Sequence, residues 1–232
     1  MHISGFIKQS LIDYPGQIAS VVFTQGCNFR CPYCHNRQLI PMDKGTIPVS
    51  EVLDYFRKNK LLLDAVVITG GEPTLHKDLP EFILAIKQQG LNVKLDTNGS
   101  NPEVLSQLQG SHLIDYVAMD VKSELLEEAY SRAGGVSFTS EKLGRIRQSI
   151  QLLIRPGISH EFRTTVCREL VSLENIRAIV FELDGTQQYY LQQYHPYSEL
   201  CGNDLSFSAY PEEEMRDFIK NLVSKFSVSL RK

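Results

Sequence analysis

Three cysteines fall inside eight residues, in the run Gln25-Gly26-Cys27-Asn28-Phe29-Arg30-Cys31-Pro32-Tyr33-Cys34-His35-Asn36. Their thiolates are soft ligands, and spacings of three residues and then two put Cys27, Cys31 and Cys34 on one tight loop. Such a loop can hold three corners of a cubane [4Fe–4S] cluster and leave the fourth iron without a protein ligand, open for chemistry. The other chemistry these residues could do is a closed tetrahedral zinc site with His35, although zinc ligands more often come as two separated pairs. The total of five cysteines is odd, and the clustering is poor for a disulfide framework. Cys167 and Cys201 read as small buried hydrophobes.

Four further groups carry polar chemistry. Thr69-Gly70-Gly71-Glu72-Pro73 offers two glycines that let backbone approach a ligand and a carboxylate that can accept from a cationic amine. Asp96-Thr97-Asn98-Gly99 and Asp120-Val121-Lys122 can bind hydroxyls, a cation or an amine. The bland readings are a tight turn with a solvated Glu72, an Asn-Gly turn, a capping aspartate and a surface lysine. Arg163 and His195 reach the same place if the register holds; a salt bridge on the barrel and an exposed loop histidine explain them equally well.

These residues must be positioned by something, and the spacing between them shows what. Short runs rich in Val, Ile, Phe, Tyr and Thr at 18–24, 65–69, 92–96, 116–120, 161–166 and 189–193 alternate with helical-period segments. Apolar stripes at Val49, Val52, Leu53 and Phe56, at Leu79, Phe82, Ile83 and Ile86, and at Leu143, Ile146, Ile150 and Leu153 predict helices that pack on a sheet. Met215, Phe218, Ile219, Leu222 and Phe226 predict a closing helix over about 211–226, with Pro211 and three glutamates at its start. Asp78 with Glu81 and Asn101 with Pro102 are start signals. This is the pattern of βα units around parallel strands. Six units cannot close an eight-stranded barrel, so the expected fold is α/β, an open partial (β/α)6 TIM-like barrel, with a flat doubly wound sheet as the alternative. With no linker, repeat or composition shift, one domain over 1–232 is expected, its core from about 18 to 200. In this architecture ligands gather at the C-terminal ends of strands, and every polar group above follows one.

Composition removes other classes. In 232 residues, 42% are apolar and 22% charged, and the net charge is −3, so no broad basic surface exists for nucleic acid. Apolar runs such as 61–63 and 65–68 are far below the ~20 residues of a membrane helix, and the N-terminus shows no export signal. A soluble, cytoplasmic protein is expected.

Cys-x3-Cys-x-aromatic-Cys after a first strand, with Tyr33 as the aromatic, resembles the cluster motif of the radical S-adenosylmethionine superfamily. Gly70-Gly71-Glu72-Pro73, one βα unit later, resembles that family's motif for the amino group of S-adenosylmethionine. The Asp96 and Asp120 segments resemble those of glycyl-radical-enzyme activases. That likeness implies a monovalent cation near Asp96, Thr97 and Asp120 and a cofactor contact from Lys122; Asp96, Asn98, Asp120 and Arg163 are further candidates for binding the cofactor. His195 matches a histidine near the adenine, and Tyr33 and His35 would sit by the cluster or cofactor. The opening from Gly5 to Gly16 with the cysteine loop is similar to activating proteins of anaerobic ribonucleoside-triphosphate reductase, and the similarity runs on through 161–166. It implies reductive cleavage of S-adenosylmethionine, a glycyl radical made on a partner enzyme, and electrons from a flavodoxin or ferredoxin. Arg30, Arg37 and Lys44 could meet an acidic donor or form a solvated face. The alternatives are a small-molecule radical enzyme like 7-carboxy-7-deazaguanine synthase and a non-catalytic metal-binding protein.

Overall fold

In the computed structural model, which describes residues 1–195 and 207–231, eight strands lie side by side in chain order in one sheet. β1 (Ile3–Ser10) runs antiparallel to β2 (Ala19–Thr24). All later pairs are parallel: β2 to β3 (Ala65–Gly70), then β4 (Asn92–Thr97), β5 (Tyr116–Asp120), β6 (Ser159–Val166), β7 (Gln188–Gln193) and β8 (Ser227–Arg231). β1 and β8 are the sheet's two edges, so the partial barrel is open between them. The helices are α1 (Val49–Asn59), α2 (Leu79–Lys87), α3 (Pro102–Gly110), α4 (Glu127–Gly134), α5 (Ser140–Ile154), α6 (Leu173–Glu182) and α7 (Glu212–Lys220). No described helix is long and apolar enough to cross a membrane.

Alternation along the strands sorts side chains into two layers. One set, Val22, Val66, Ile68, Val93, Leu95, Val117, Met119 and Phe162, packs under the helices with Val52, Phe56, Ile83, Ile86, Leu105, Ile146 and Ile150. The other set faces the lumen, where Ala19, Val21, Ala65 and Val67 form a small separate cluster with Tyr14, Phe23 and Tyr116. Most of the apolar burial is therefore between sheet and helices, which leaves the C-terminal strand ends free to build a site.

The six expected strands are β2 to β7, each within a residue or two of its expected bounds. β1 and β8 are additions. β1 has exposed or half-exposed residues along most of its length, as an edge strand does, so it lacks a buried-strand pattern. The closing helix is shorter than expected: Asn221 caps α7, its N–H directed to Asp217, Phe218 and Ile219 carbonyls, and Phe226 precedes β8 instead of extending the helical stripe. Asn101 and Pro102 start α3 as expected, whereas Asp78 makes no side-chain cap on α2 and instead pairs with the Met1 ammonium. Cys201 lies outside the described residues; Cys167 is a buried core residue.

Candidate functional site

The loop after β2 is folded by its own backbone. Gly26 N–H donates to Leu39 O (2.7 Å) and Cys27 N–H to Ile40 O (3.0 Å), while the Gln25 amide reaches Gln38 O and Pro41 O. Cys34 N–H closes a turn on Cys31 O at 3.0 Å, and Arg30 N–H is tied to Gly134 O at 2.8 Å. Phe29 anchors the loop edge-on against Phe138, with centroids 5.1 Å apart. The side chains of Cys27, Cys31 and Cys34 line one cavity of about 420 Å³ at the C-terminal strand ends. Burial pushes the Cys27 thiol up to about 12 and raises Cys31 as well, so a metal must displace protons to bind there.

The glycines after β3 fit against that loop. Gly70 has φ +110°, and a Cβ there would stand 2.4 Å from Thr24 N; a Cβ on Gly71 would stand 2.0 Å from Gly26 O. No other residue lets the two loops come this close, and both glycines line the cavity. Glu72 behaves differently from the expected amine acceptor. It is fully buried and does not line the cavity. Its Oε1 accepts from Thr74 N–H (3.1 Å), the Thr74 hydroxyl and the Thr97 hydroxyl (2.8 Å), and its Oε2 accepts from Asn98 N–H at 2.7 Å. Burial raises the carboxyl's pKa, and these bonds oppose the rise. A carboxylate so fully occupied is a strut between the ends of β3 and β4; the groups left for a ligand are the backbone of Gly70 and Gly71.

Across the cavity β4, β5 and β6 present charge. Asp120 Oδ1 accepts from Arg163 Nε (2.8 Å) and its Oδ2 from Lys122 Nζ (2.9 Å). Asp96 Oδ2 meets Arg163 at 3.2 Å, and its Oδ1 meets the Lys94 ammonium at 3.1 Å. Burial alone would raise the Asp120 carboxyl, but Arg163 and Lys122 hold it well below its ordinary 3.8. The same contacts, against burial, raise Lys122 and Arg163. Below this layer Glu161 is fully buried, bonded to Tyr116 Oη (3.1 Å) and bridged by both arms of Arg231 (3.0 and 3.1 Å). The monovalent cation expected at Asp96, Thr97 and Asp120 does not fit, because each carboxylate oxygen already faces a protein cation and the Thr97 hydroxyl both donates to Glu72 and accepts from Gly99 N–H.

The sequence pattern of the Radical SAM superfamily matches residues 21–142, more than half of the chain and all of the groups above as far as Lys122 except Arg163 and its partners on β6 and β8. The chain belongs to the radical S-adenosylmethionine superfamily. It groups with that superfamily's glycyl-radical-enzyme-activating type. A Methanocaldococcus jannaschii protein provisionally named as a glycyl-radical enzyme activating enzyme is 35% identical over 223 residues, 94% of this chain and 90% of that protein. The pyruvate formate-lyase-activating enzyme of Listeria monocytogenes is 34% identical over 122 residues, 48% of this chain and 49% of that one. Among solved structures, a radical SAM methyltransferase from Sphaerobacter thermophilus shares the fold at TM-score 0.70 and 16% identity, over 94% of this chain and 67% of that chain.

In a radical SAM enzyme, S-adenosylmethionine and an iron–sulfur cluster are the usual cofactors, and two features of this cavity suit them. Among the described residues no three His, Cys, Asp or Glu side chains converge on one point as a single metal ion needs, yet three thiols share the cavity, as a multi-iron cluster needs. Tyr33 Oη is buried with no hydrogen-bond partner beside this wall, an acceptor and donor left for something bound. Tyr33, His35, Asn98 and His195 all line the cavity. His35 lies edge-on to Tyr194 at 5.9 Å, and burial, with His195 nearby, lowers its pKa. Asn98 also turns its amide to the Asn28 side chain at 2.9 Å, which ties the β4 end to the cysteine loop.

Sequence reasoning missed Lys94, Glu161 and Arg231, and the lining residues Asn36, Thr165, Gln192 and Gln193. A signal for the first two was present: each stands two positions before a recognised site residue, Asp96 or Arg163, and so on the same face of its strand. Arg231 had no signal, because β8 itself was not foreseen.

Proposed function

We propose that the protein holds a [4Fe–4S] cluster on Cys27, Cys31 and Cys34, cleaves S-adenosylmethionine reductively, and makes a glycyl radical on a partner enzyme. The observation that carries the reading is that the three thiols and the Gly70–Gly71 backbone line one cavity, while Cys167, the remaining described cysteine, is buried away from it. Three thiol ligands leave one iron for the cofactor. When bound, a reduced cluster and S-adenosylmethionine would supply one-electron cleavage of the sulfonium and a hydrogen-abstracting group, with methionine and 5′-deoxyadenosine as products.

The chain's own residues bind, orient and exclude water. Gly70 and Gly71 carbonyls take the methionyl amine, a role their bare backbone allows. Lys122 and Arg163, fixed by Asp120, present positive charge to the methionyl carboxylate. Tyr33 walls the cluster side, and His35 and His195 border the mouth where adenine or the partner's loop enters. Similarity along the whole chain to a protein named for glycyl-radical activation supports the protein substrate. The likeness of the opening residues and cysteine loop supports anaerobic ribonucleoside-triphosphate reductase as that partner, with a flavodoxin or ferredoxin as donor and a cytoplasmic setting.

The test is anaerobic. Reconstituted protein is reduced, given S-adenosylmethionine, and assayed for 5′-deoxyadenosine and methionine with and without the reductase. Cleavage with a glycine-centred EPR doublet on the reductase is expected, and Cys31→Ala should abolish both while the far-UV CD is unchanged. Turnover of a small molecule with no protein radical would move the function to the other class; zinc in the preparation and no cleavage would end the reading.

A further inference from the structure

The misfit of a monovalent cation has a physical cause in β4. Lys94 lies on the lumen face two residues before Asp96, its side chain only 4% exposed. Its ammonium donates to the Asp13 carbonyl at 2.6 Å and stands 3.1 Å from Asp96 Oδ1, an ion pair without hydrogen-bond alignment. The Tyr116 ring lies 5.9 Å away. A carbonyl oxygen, a carboxylate oxygen and an aromatic face are the surroundings a small hard monovalent cation would choose, and here they hold an amine that belongs to the chain.

The charge balance points the same way. Four cations, Lys94, Lys122, Arg163 and Arg231, are in ion-pair contact with three carboxylates, Asp96, Asp120 and Glu161, and Arg163 is shared among all three. Within this ion-paired set one positive charge is in excess in a buried setting; the Glu72 carboxyl lies outside it, held by Thr74, Thr97 and Asn98. Another cation there would be repelled at several ångströms with little water to screen it, whereas an anionic group is favoured. We infer that Lys94 is a built-in counter-cation, a positioning residue that braces Asp96 in place of a monovalent metal ion, so that S-adenosylmethionine binding by this protein is independent of sodium and potassium.

This rests on the reading that S-adenosylmethionine occupies the cavity, and not on which molecule receives the radical. S-adenosylmethionine affinity of the reconstituted, oxidised protein is measured by equilibrium dialysis in potassium, sodium and tetramethylammonium chlorides at equal ionic strength. Values within about twofold are expected across the three salts, and an affinity about tenfold weaker in tetramethylammonium would overturn the inference. The same comparison on Lys94→Met should show a loss of about tenfold in tetramethylammonium that ammonium or potassium ions restore, because either can enter the emptied place. A loss that no small cation repairs would reduce Lys94 to a structural role and defeat the claim. Thermal unfolding of the cluster-free wild-type protein is independent of both cofactor and variant: equal midpoints in potassium and tetramethylammonium are expected, and a rise of several degrees with potassium would show a bound ion. If no salt supports S-adenosylmethionine binding, the cofactor reading fails, and this unfolding comparison still decides the role of Lys94.

Discussion

β2 and β3 line the lumen with Ala19, Val21, Ala65 and Val67, whereas β4, β5 and β6 line it with Lys94, Asp96, Asp120, Glu161 and Arg163, although all five strands bury the same kind of apolar residue beneath the helices. The apolar wall needs only volume and shape, and neighbouring side chains can shift to fill a gap. The charged wall cannot be adjusted in that way. Each buried charge there is held by an oppositely charged partner, with Arg163 joining β6 to both β4 and β5, and removing one leaves the other in a medium that solvates it poorly. The comparison shows where rigidity comes from in this molecule: the side of the mouth nearer the cysteine loop is shaped by glycines and close backbone contact, the far side by mutual ion pairing.

Substitutions can break this contrast, the largest effect coming first. Glu72→Ala removes the acceptor for four donors at the junction of the two walls. Stability to urea should fall by about 3–5 kcal/mol, and S-adenosylmethionine binding should weaken with it as the β3 and β4 ends separate. Unchanged stability would show that the strut is not needed. Arg231→Met leaves Glu161 buried with the Tyr116 hydroxyl and with Arg163, 4.0 Å away. A loss of about 2 kcal/mol is expected, less than for a fully buried pair because Arg231 is partly exposed, and Arg231→Lys should recover only part of it.

On the apolar wall Val67→Ala should cost about 1–2 kcal/mol by chemical denaturation and leave S-adenosylmethionine affinity unaltered; an equal loss of affinity would show that both walls shape the site. The smallest effect sharpens the comparison from outside the lumen. His160 on β6 is half-buried, its rings nitrogens bonded to Ile158 O and the Thr186 hydroxyl (both 3.1 Å), and burial lowers its pKa from 6.5. The folded state therefore resists the proton that the unfolded chain accepts. Its contribution is complete above pH 6.5 and is lost as pH falls through the lowered folded value. Replacing it by Gln should flatten the decline in stability below pH 6.5 by under about 1 kcal/mol; an unchanged slope would place the titrating group elsewhere.

Much of this was legible beforehand because strand alternation and helical periodicity are local. β2 to β7 and the stripes of α1, α2 and α5 follow from residues less than ten apart. β8 was not legible: Leu222 and Phe226 continue the α7 spacing, and only the cap at Asn221 and pairing with β7 show where the helix stops. Glu72 was recognised as a site residue and misread as to role, since Thr97 and Asn98, which occupy its oxygens, lie 25 and 26 positions along the chain.

That Cys27, Cys31 and Cys34 share one loop needed no fold to be read, because a spacing of three and then two constrains the thiols whatever surrounds them. The same holds for the order of βα units, which places each polar motif after a strand. The sign of the charge around Asp96 and Asp120 could not be read in that way. It depends on Arg163 arriving from β6 within a few ångströms of both carboxylates, and on Lys94 and Lys122, each two positions along the chain from its aspartate, turning to the same side, and Coulomb energy in a buried site responds to distance through space and not along the chain.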